Sequence, residues 1–184
     1  IEGIHCDGVY IDNYTACYEV TKDVLARGYR NIVYMADPPI YRPGCDRLRG
    51  FRDACKEFGV TVPQENIFLA PIEDTKPLNA FLHDVARRDV PPKAIINFVR
   101  GWDYTMLQAL HSAGLRVPED VAVSGFDNNI EDLLAENLTT VQVFNEELGS
   151  RLALQILYRI KYPHTPHEVT YLESKVLYRA STGD

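Results

Sequence analysis

Short apolar runs alternate with longer segments of helical periodicity along the whole chain. The runs are rich in β-branched and small apolar residues, as is typical of strands buried on both faces of a sheet. Between them, apolar residues recur every three or four positions, the spacing of an amphipathic helix. The runs predicted as strands are residues 9–12, 31–36, 67–70, 93–98, 121–124 and 138–143. This alternation predicts an α/β fold with a doubly wound, mostly parallel sheet.

Glycine, proline and asparagine mark the expected helix ends. Gly28, Gly59 and Gly114 each follow a helical segment, where a glycine C-cap is common, and Asn145 is expected to be the N-cap of the last helix. Helices are predicted at residues 13–25, 47–58, 77–88, 103–113 and 145–160, with a loop at 40–46. The chain is expected to close with two short antiparallel strands, at residues 169–172 and 175–178.

The stretch 117–128, Val-Pro-Glu-Asp-Val-Ala-Val-Ser-Gly-Phe-Asp-Asn, carries the first candidate for chemistry. Its strand is followed by Gly125 and then by Asp127, which places a carboxylate just past the carboxyl end of the strand. Ligands of open α/β sheets are held at that edge. We therefore expect Asp127 to contact a ligand, although an aspartate that only forms a turn after glycine is the competing interpretation.

Asp12 and Asn13 follow the first predicted strand and so lie at the same kind of edge. Their side chains could contact a ligand. A carboxylate in this position could equally accept a hydrogen bond from the first turn of the next helix, which requires no ligand. Both interpretations stay open at the level of sequence.

Composition narrows the class of protein. The 184 residues, 46% hydrophobic and 24% charged, suffice for one domain or two small lobes of a soluble protein. A net charge of −7 argues against binding of nucleic acid by this chain itself. No apolar run approaches the ~20 residues of a membrane span, and no signal peptide is visible. The four cysteines show no metal-type pairing, which favours free thiols in a reducing cytoplasm.

Other catalytic or cofactor chemistry is not indicated. No glycine-rich phosphate motif follows a strand, and no nucleophile stands beside an obvious base. His164 and His167 have a spacing compatible with a metal, but a proline-flanked surface turn is the favoured interpretation. We expect no enzyme, no cofactor and no metal.

Several motifs, in order and at consistent spacing, carry a family resemblance. The longest is the stretch from Gly114 to Asn128; the others are Val9–Asn13 before a helix, Leu-Ala-Arg-Gly-Tyr-Arg-Asn-Ile at 25–32, Arg-Leu-Arg-Gly-Phe at 47–51, Leu-Thr-Thr-Val at 138–141, Glu-Leu-Gly at 147–149 and Leu-Tyr-Arg-Ala-Ser-Thr at 177–182. Together they resemble the effector-binding domain of the lactose-repressor/galactose-repressor family of bacterial transcription regulators, which has the type I periplasmic-binding-protein fold.

The resemblance implies two lobes joined by three crossovers, with a small effector bound between them. Residues 1–28 and 140–162 would then form part of an N-terminal lobe, and residues 29–138 and 165–184 a largely complete C-terminal lobe. Because Ile1 is an unusual first residue, we expect a C-terminal fragment that lacks its DNA-binding head.

The function implied is control of transcription by a cytoplasmic, homodimeric sensor that binds a sugar or sugar derivative. DNA would be bound only through the missing head, and no membrane is involved. The helix near residues 104–113 and the last strands are candidates for the dimer surface. The alternative is a periplasmic sugar-binding protein of a transport system.

The resemblance also assigns residues. Asp127 matches a carboxylate that binds sugar hydroxyls, and Arg47 matches a ligand-contacting arginine at the start of a helix. A guanidinium can hold ring oxygens, carboxylates or phosphates. The neighbouring Arg42 and Arg49, like Arg47 itself, could instead be surface charges of that helix.

One position departs from the family pattern. Arg100 falls where the family usually has an aspartate that faces the sugar, and Trp102 follows closely as a possible stacking face. Arg47 and Arg100 together would suit an anionic effector such as a uronate or a phosphorylated sugar. Alternatively, Arg100 pairs internally with Asp127 or Asp103, and the site binds weakly or not at all.

Overall fold

The computed structural model describes residues 5–71, 75–99, 101–128 and 137–183. Strands and helices alternate as predicted, which confirms the α/β class. The elements are β1 (Gly8–Ile11), α1 (Asn13–Ala26), β2 (Ile32–Ala36), α2 (Arg42–Glu57), β3 (Ile67–Leu69), α3 (Thr75–Ala86), β4 (Ala94–Asn97), α4 (Asp103–Ser112), β5 (Ala122–Ser124), β6 (Thr140–Gln142), α5 (Asn145–Lys161), β7 (Val169–Leu172) and β8 (Lys175–Leu177). No helix in the described ranges is long and apolar enough to cross a membrane.

A four-stranded parallel sheet forms the centre of the larger unit, in the order β3-β2-β4-β5. The chain leaves β2 toward β3 on one side and later leaves β4 toward β5 on the other. The strand order therefore reverses between β2 and β4, and in open α/β sheets this switch point is where a crevice opens at the carboxyl ends of the strands.

Alternate residues of each strand feed two separate cores, as the period of two in a strand requires. Ile32, Tyr34 and Ala36 of β2 pack on the face covered by α1 and α2. Val33 and Met35 of the same strand pack on the face covered by α3 and α4. Burial on both faces explains why these strands appear in the sequence as apolar runs.

Helices α1 and α2 approach each other closely at Gly50. A Cβ atom at this position would lie 2.4 Å from the backbone oxygen of Tyr14 and 3.0 Å from the backbone nitrogen of Tyr18. Only a glycine allows this approach, because no flexible side chain is available to move aside. The contact fixes the position of α2 above the sheet.

A smaller unit combines β1, β7 and α5. Strand β7 pairs in parallel with β1, and β8 pairs in antiparallel register with β6. The expectation of two antiparallel closing strands is thus right for β8 and wrong for β7, because the two strands join different sheets. Arg159 of α5 forms a bidentate pair with Asp7, with N–O distances of 2.7 and 2.8 Å, and ties α5 to the start of β1.

Two element boundaries differ from the prediction. Residues 42–46, predicted as loop, form the first turn of α2, because Pro43 is compatible with the start of a helix. Asn145 is the first residue of α5 rather than its N-cap, a position taken by Phe144 without a side-chain hydrogen bond.

The predicted lobe boundaries stay a prediction, since they concern a complete two-lobe domain. Within the described residues, β1, β7 and α5 form the smaller unit. Helix α1 packs against α2 and the four-stranded sheet, although the prediction placed residues 1–28 in the other lobe.

Substituting Gly50 by alanine should destabilise the protein by about 1–3 kcal/mol, the usual cost of overpacking. Gly149 of α5 is the matched control, because a Cβ there meets nothing within 4 Å. Gly149→Ala should stabilise by about 0.5–1 kcal/mol through helix propensity. Chemical denaturation of both variants would measure the difference, and equal effects would contradict the close approach of α1 and α2.

The ion pair between Asp7 and Arg159 makes the stability of the fold depend on pH. Hydrogen bonds from the Arg159 guanidinium hold the pKa of Asp7 well below its usual range. A depressed carboxyl pKa contributes stability above the ordinary value of about 3.9, and the contribution is lost as the pH falls toward the folded pKa. Asp7→Asn should therefore flatten the loss of thermal stability below about pH 4, whereas Asp89→Asn, at an exposed position, should not. Parallel acid profiles for wild type and Asp7→Asn would refute this role.

Candidate ligand-binding site at the switch point of the sheet

Polar groups follow the carboxyl ends of four strands. Asp12 follows β1, Asp37 follows β2, Phe98 follows β4 with its backbone carbonyl, and Asp127 lies beyond β5. Arg47 reaches the end of β4 from the second turn of α2. The switch point between β2 and β4 thus holds both hydrogen-bond donors and acceptors.

Arg47 is the centre of the cluster. Its Nε donates to the Asn13 side-chain oxygen at 2.8 Å, and one terminal nitrogen donates to the Phe98 carbonyl at 2.7 Å. The guanidinium carbon lies 4.1 Å from the centre of the Phe126 ring, within the range of a cation–π contact. These contacts join α2 to β4 and to the start of α1, and they hold the plane of the guanidinium in one orientation.

Two opposing effects act on the charge of Arg47. Burial lowers the pKa of Arg47, and the negative charge of Asp127 raises it, as does Asp37 to a smaller extent. An arginine starts from so high a pKa that it stays charged. A cation and the predicted carboxylate Asp127 therefore interact electrostatically, and a ligand contact through either group stays a prediction.

The turn that carries Asp127 has an unusual backbone. Asp127 and Asn128 have φ angles of 77° and 47°, in the left-handed region that L-residues other than asparagine and aspartate seldom adopt. The Asn128 side chain donates to Gln142 at 2.5 Å and accepts from Arg179 at 2.8 Å. Its backbone nitrogen donates to the Thr140 hydroxyl at 3.2 Å. The turn expected of an aspartate after glycine is present, and the same turn directs Asp127 toward the cluster.

Asp12 and Asn13 have structural partners of their own. An Asp12 carboxylate oxygen accepts from the backbone nitrogen of Thr15 at 3.0 Å, so Asp12 caps α1. Asn13 is 8% exposed, donates to the Ile11 carbonyl at 3.0 Å and accepts from Arg47. The capping interpretation is therefore correct for Asp12, and Asn13 positions the arginine. A ligand contact through either side chain stays a prediction.

Of the two remaining predicted residues, only Trp102 is among the described ones. Trp102 is only 1% exposed and packs in the second core, 5.7 Å from Phe68 between ring centres. Because the indole is buried in this core, the described residues give no support to a stacking face at Trp102, and a ligand contact there stays a prediction. Arg100 lies outside the described residues. Asp103, its proposed internal partner, is buried and accepts from the Asn97 side chain at 2.7 Å.

Sequence reasoning missed three contributors. Asp37 was not among the predicted site residues, although it directly follows β2, a strand that ends at the switch point. Phe98 and Phe126, with ring centres 5.4 Å apart, form an apolar floor under Arg47. No local pattern distinguishes them from ordinary core residues, because their role depends on neighbours distant in the chain.

Arg42 links the two units beside the cluster. Its guanidinium lies 5.2 Å from the ring centres of both Tyr10 and Tyr171, and it hydrogen-bonds the Tyr171 hydroxyl. Arg42 belongs to α2, whereas Tyr10 and Tyr171 belong to β1 and β7. Arg42 was predicted only as a possible surface charge.

Nowhere in the described ranges do three or more histidine, cysteine, aspartate or glutamate side chains gather in a way that could hold a metal ion. The arrangement of arginine, carboxylates and an apolar floor suits reversible binding of a small polar molecule.

Comparison with known proteins agrees with this architecture. Residues 21–182 match the family model described as a periplasmic binding protein-like domain. The sucrose operon repressor of Escherichia coli is 31% identical over 79% of this chain and 46% of its own length. The PurR transcriptional repressor of Vibrio cholerae serotype O1 is 26% identical over 100% of this chain and 54% of its own length. The chain thus spans about half the length of these relatives.

Solved structures give the same result. The complex of the transcriptional regulator CelR with cellobiose has a TM-score of 0.86 and 27% identity, covering 98% of this chain and 56% of that one. The matched relatives are transcriptional regulators and not enzymes, as predicted. The chain belongs to the periplasmic binding protein-like domain family and, within it, to the effector-binding domains of lactose-repressor/galactose-repressor transcription regulators.

Proposed function

We propose that the chain is the C-terminal part of the sensor domain of a cytoplasmic transcription regulator, and that its effector is a polyhydroxylated small molecule bound at the Arg47 cluster. The position of Arg47 carries this proposal. The side chain spans the switch point, is held by Asn13 and Phe98, and lies close to the Asp127 carboxylate.

The chemistry of the cluster suits a sugar or sugar derivative. Carboxylates accept hydrogen bonds from two hydroxyl groups at once, and an arginine donates to ring or hydroxyl oxygens. The buried Phe126 ring packs against the Arg47 guanidinium and helps to hold it in place for such contacts. Relatives named for sucrose and cellobiose support this class of effector.

The charge balance supports a neutral effector. Among the described residues, two carboxylates, Asp127 and Asp37, act on the charge of the one arginine, Arg47. An anion would be repelled by most of these groups. An anionic effector was predicted only if Arg100 acts together with Arg47. The charge of the effector is therefore the property that best separates the two interpretations.

Control of transcription requires that the effector favours one arrangement of the two units over another. Asn13 lies directly after β1 of the smaller unit and holds Arg47 of the larger one, and Arg42 contacts both units. A ligand at Arg47 therefore acts where the units meet. DNA would be bound by a head domain preceding this chain, as the repressor names of the relatives suggest.

Helix α5 supports assigning the smaller unit to an incomplete N-terminal lobe. No residue of α5 is buried, yet it carries large apolar side chains. Leu154 is 61% exposed, Leu157 63% and Ile160 72%. A helix that is apolar on several faces is normally enclosed by other elements, which further residues of the N-terminal lobe would supply.

A homodimer is the expected assembly. The candidate surface lies along α4, where a cavity of about 770 Å³ is lined by Leu107, His111, Val117, Leu138 and Ala180 among others. Tyr104 on the same helix is 41% exposed. Relatives named as repressors, such as the sucrose operon repressor, support the regulator over the periplasmic alternative.

Calorimetric titration of the full-length protein with sucrose, cellobiose, D-ribose, D-glucuronate and D-glucose 6-phosphate tests the proposal. We expect heat from at least one neutral sugar and none from the two anions, because carboxylates outnumber the arginine. Binding of only the anions would refute the neutral class, and absence of heat with the whole panel would count against the proposed function.

Arg47→Lys should weaken binding of that sugar by roughly tenfold or more, because an ammonium cannot reproduce the fork that holds Asn13 and Phe98 together. Arg49→Lys on the same helix is the matched control. Its side chain is 62% exposed and pairs with Asp46 at 2.9 Å, so its affinity should equal that of wild type. Equal affinities for both variants would remove Arg47 from the site.

A further inference from the structure

Tyr34 places a polar atom in the middle of the larger sheet. It lies at the centre of β2, flanked by β3 and β4, and is 0% exposed. Its ring packs against Phe51 of α2 at 4.4 Å and against Phe98 at 6.2 Å, measured between ring centres. The ring is thus fully accounted for by aromatic packing.

Aromatic packing does not explain the Tyr34 hydroxyl group. Its oxygen is buried, and no donor or acceptor of the described ranges hydrogen-bonds to it. Buried polar groups nearly always have a partner, and each exception calls for an explanation. Phenylalanine would fill the same space, as Phe51, Phe98 and Phe126 do around it, without leaving a buried hydroxyl unpaired.

Aromatic packing connects Tyr34 to the Arg47 cluster. Tyr34, Phe98 and Phe126 form one continuous aromatic layer. Arg47 lies over its last ring and bonds to the Phe98 carbonyl. Burial and the Cys17 sulfur raise the pKa of Tyr34, with Arg47 opposing and Asp37 adding to the rise. The hydroxyl therefore stays protonated, able to donate and accept, and Arg47 and Asp37 are among its charged neighbours.

We propose that the Tyr34 hydroxyl contacts the effector at the bottom of its binding site. There it hydrogen-bonds the most deeply bound oxygen of the effector, beside Arg47. The proposal rests on the proposed function of the cluster. It assigns a specificity-determining role to a residue that resembles a core tyrosine in every other respect. Effectors that lack an oxygen at the deepest position would lose this hydrogen bond and bind more weakly.

A purely structural tyrosine and a ligand-binding one respond oppositely to removal of the hydroxyl. A hydroxyl already bonded in the free protein stabilises the fold, so phenylalanine would lower the melting temperature. An unpaired hydroxyl contributes nothing favourable in the free protein, and its loss would appear only when the effector is bound.

The test compares wild type, Tyr34→Phe and Tyr29→Phe in the full-length protein, by thermal unfolding without ligand and by titration with sucrose, cellobiose and D-ribose. Tyr29→Phe is the control, because the Tyr29 hydroxyl donates to the distant Thr182 carbonyl at 3.4 Å. We expect Tyr34→Phe to melt at or above the wild-type temperature when free. For the sugar that binds wild type, we expect about fivefold to tenfold weaker affinity, the effect of one net hydrogen bond.

Three outcomes would overturn the proposal. Unchanged affinity in Tyr34→Phe, with binding intact in wild type, removes Tyr34 from the site and leaves the proposed function standing. A lower melting temperature of free Tyr34→Phe than of Tyr29→Phe shows a hydroxyl that is already bonded. Absence of binding in wild type removes the proposed function and this assignment together, and is thereby distinguished from the first outcome.

Discussion

The fold depends on holding one partly buried guanidinium at the point where the strand order of the parallel sheet reverses. A cation that loses part of its hydration needs oriented acceptors, or its burial is unfavourable. For Arg47 these are the Asn13 side chain and the Phe98 carbonyl. Each lies on a different element, so α1, α2 and the end of β4 have to meet at a single point. The glycine contact between α1 and α2 at Gly50 makes that meeting possible.

Much of the larger unit could be predicted from the sequence, because its order is set by local patterns. Apolar runs such as 32–36 are buried on both faces, and a period of two then assigns Tyr34 and Met35 to opposite cores. Asp127 could be predicted to lie at the carboxyl edge of the sheet, because that prediction required only the strand directly before it. Its left-handed backbone agrees with the glycine–aromatic–aspartate–asparagine order.

What could not be predicted depends on contacts between distant parts of the chain. The parallel pairing of β7 with β1 joins residues about 160 positions apart, and no turn signal reports it. Trp102 and Arg47 both lie near the start of helices that follow strands of the sheet, yet Trp102 packs into the core and Arg47 lies over Phe126. Spacing alone cannot separate them, because the difference is made by α3 and by β3, which fill the space around the indole and not around the guanidinium.

The short connections between the two units determine how the protein can move. Because the Asp7–Arg159 pair and the β1–β7 ladder make the smaller unit one body, its rotation must be absorbed by Asp12, by Val143 and Phe144, and by Glu173 and Ser174. Asp12 immediately precedes the asparagine that holds Arg47. A ligand at this arginine would therefore act close to the connections about which the smaller unit would rotate. A displacement of a fraction of an ångström there would become a much larger displacement at the far end of α5.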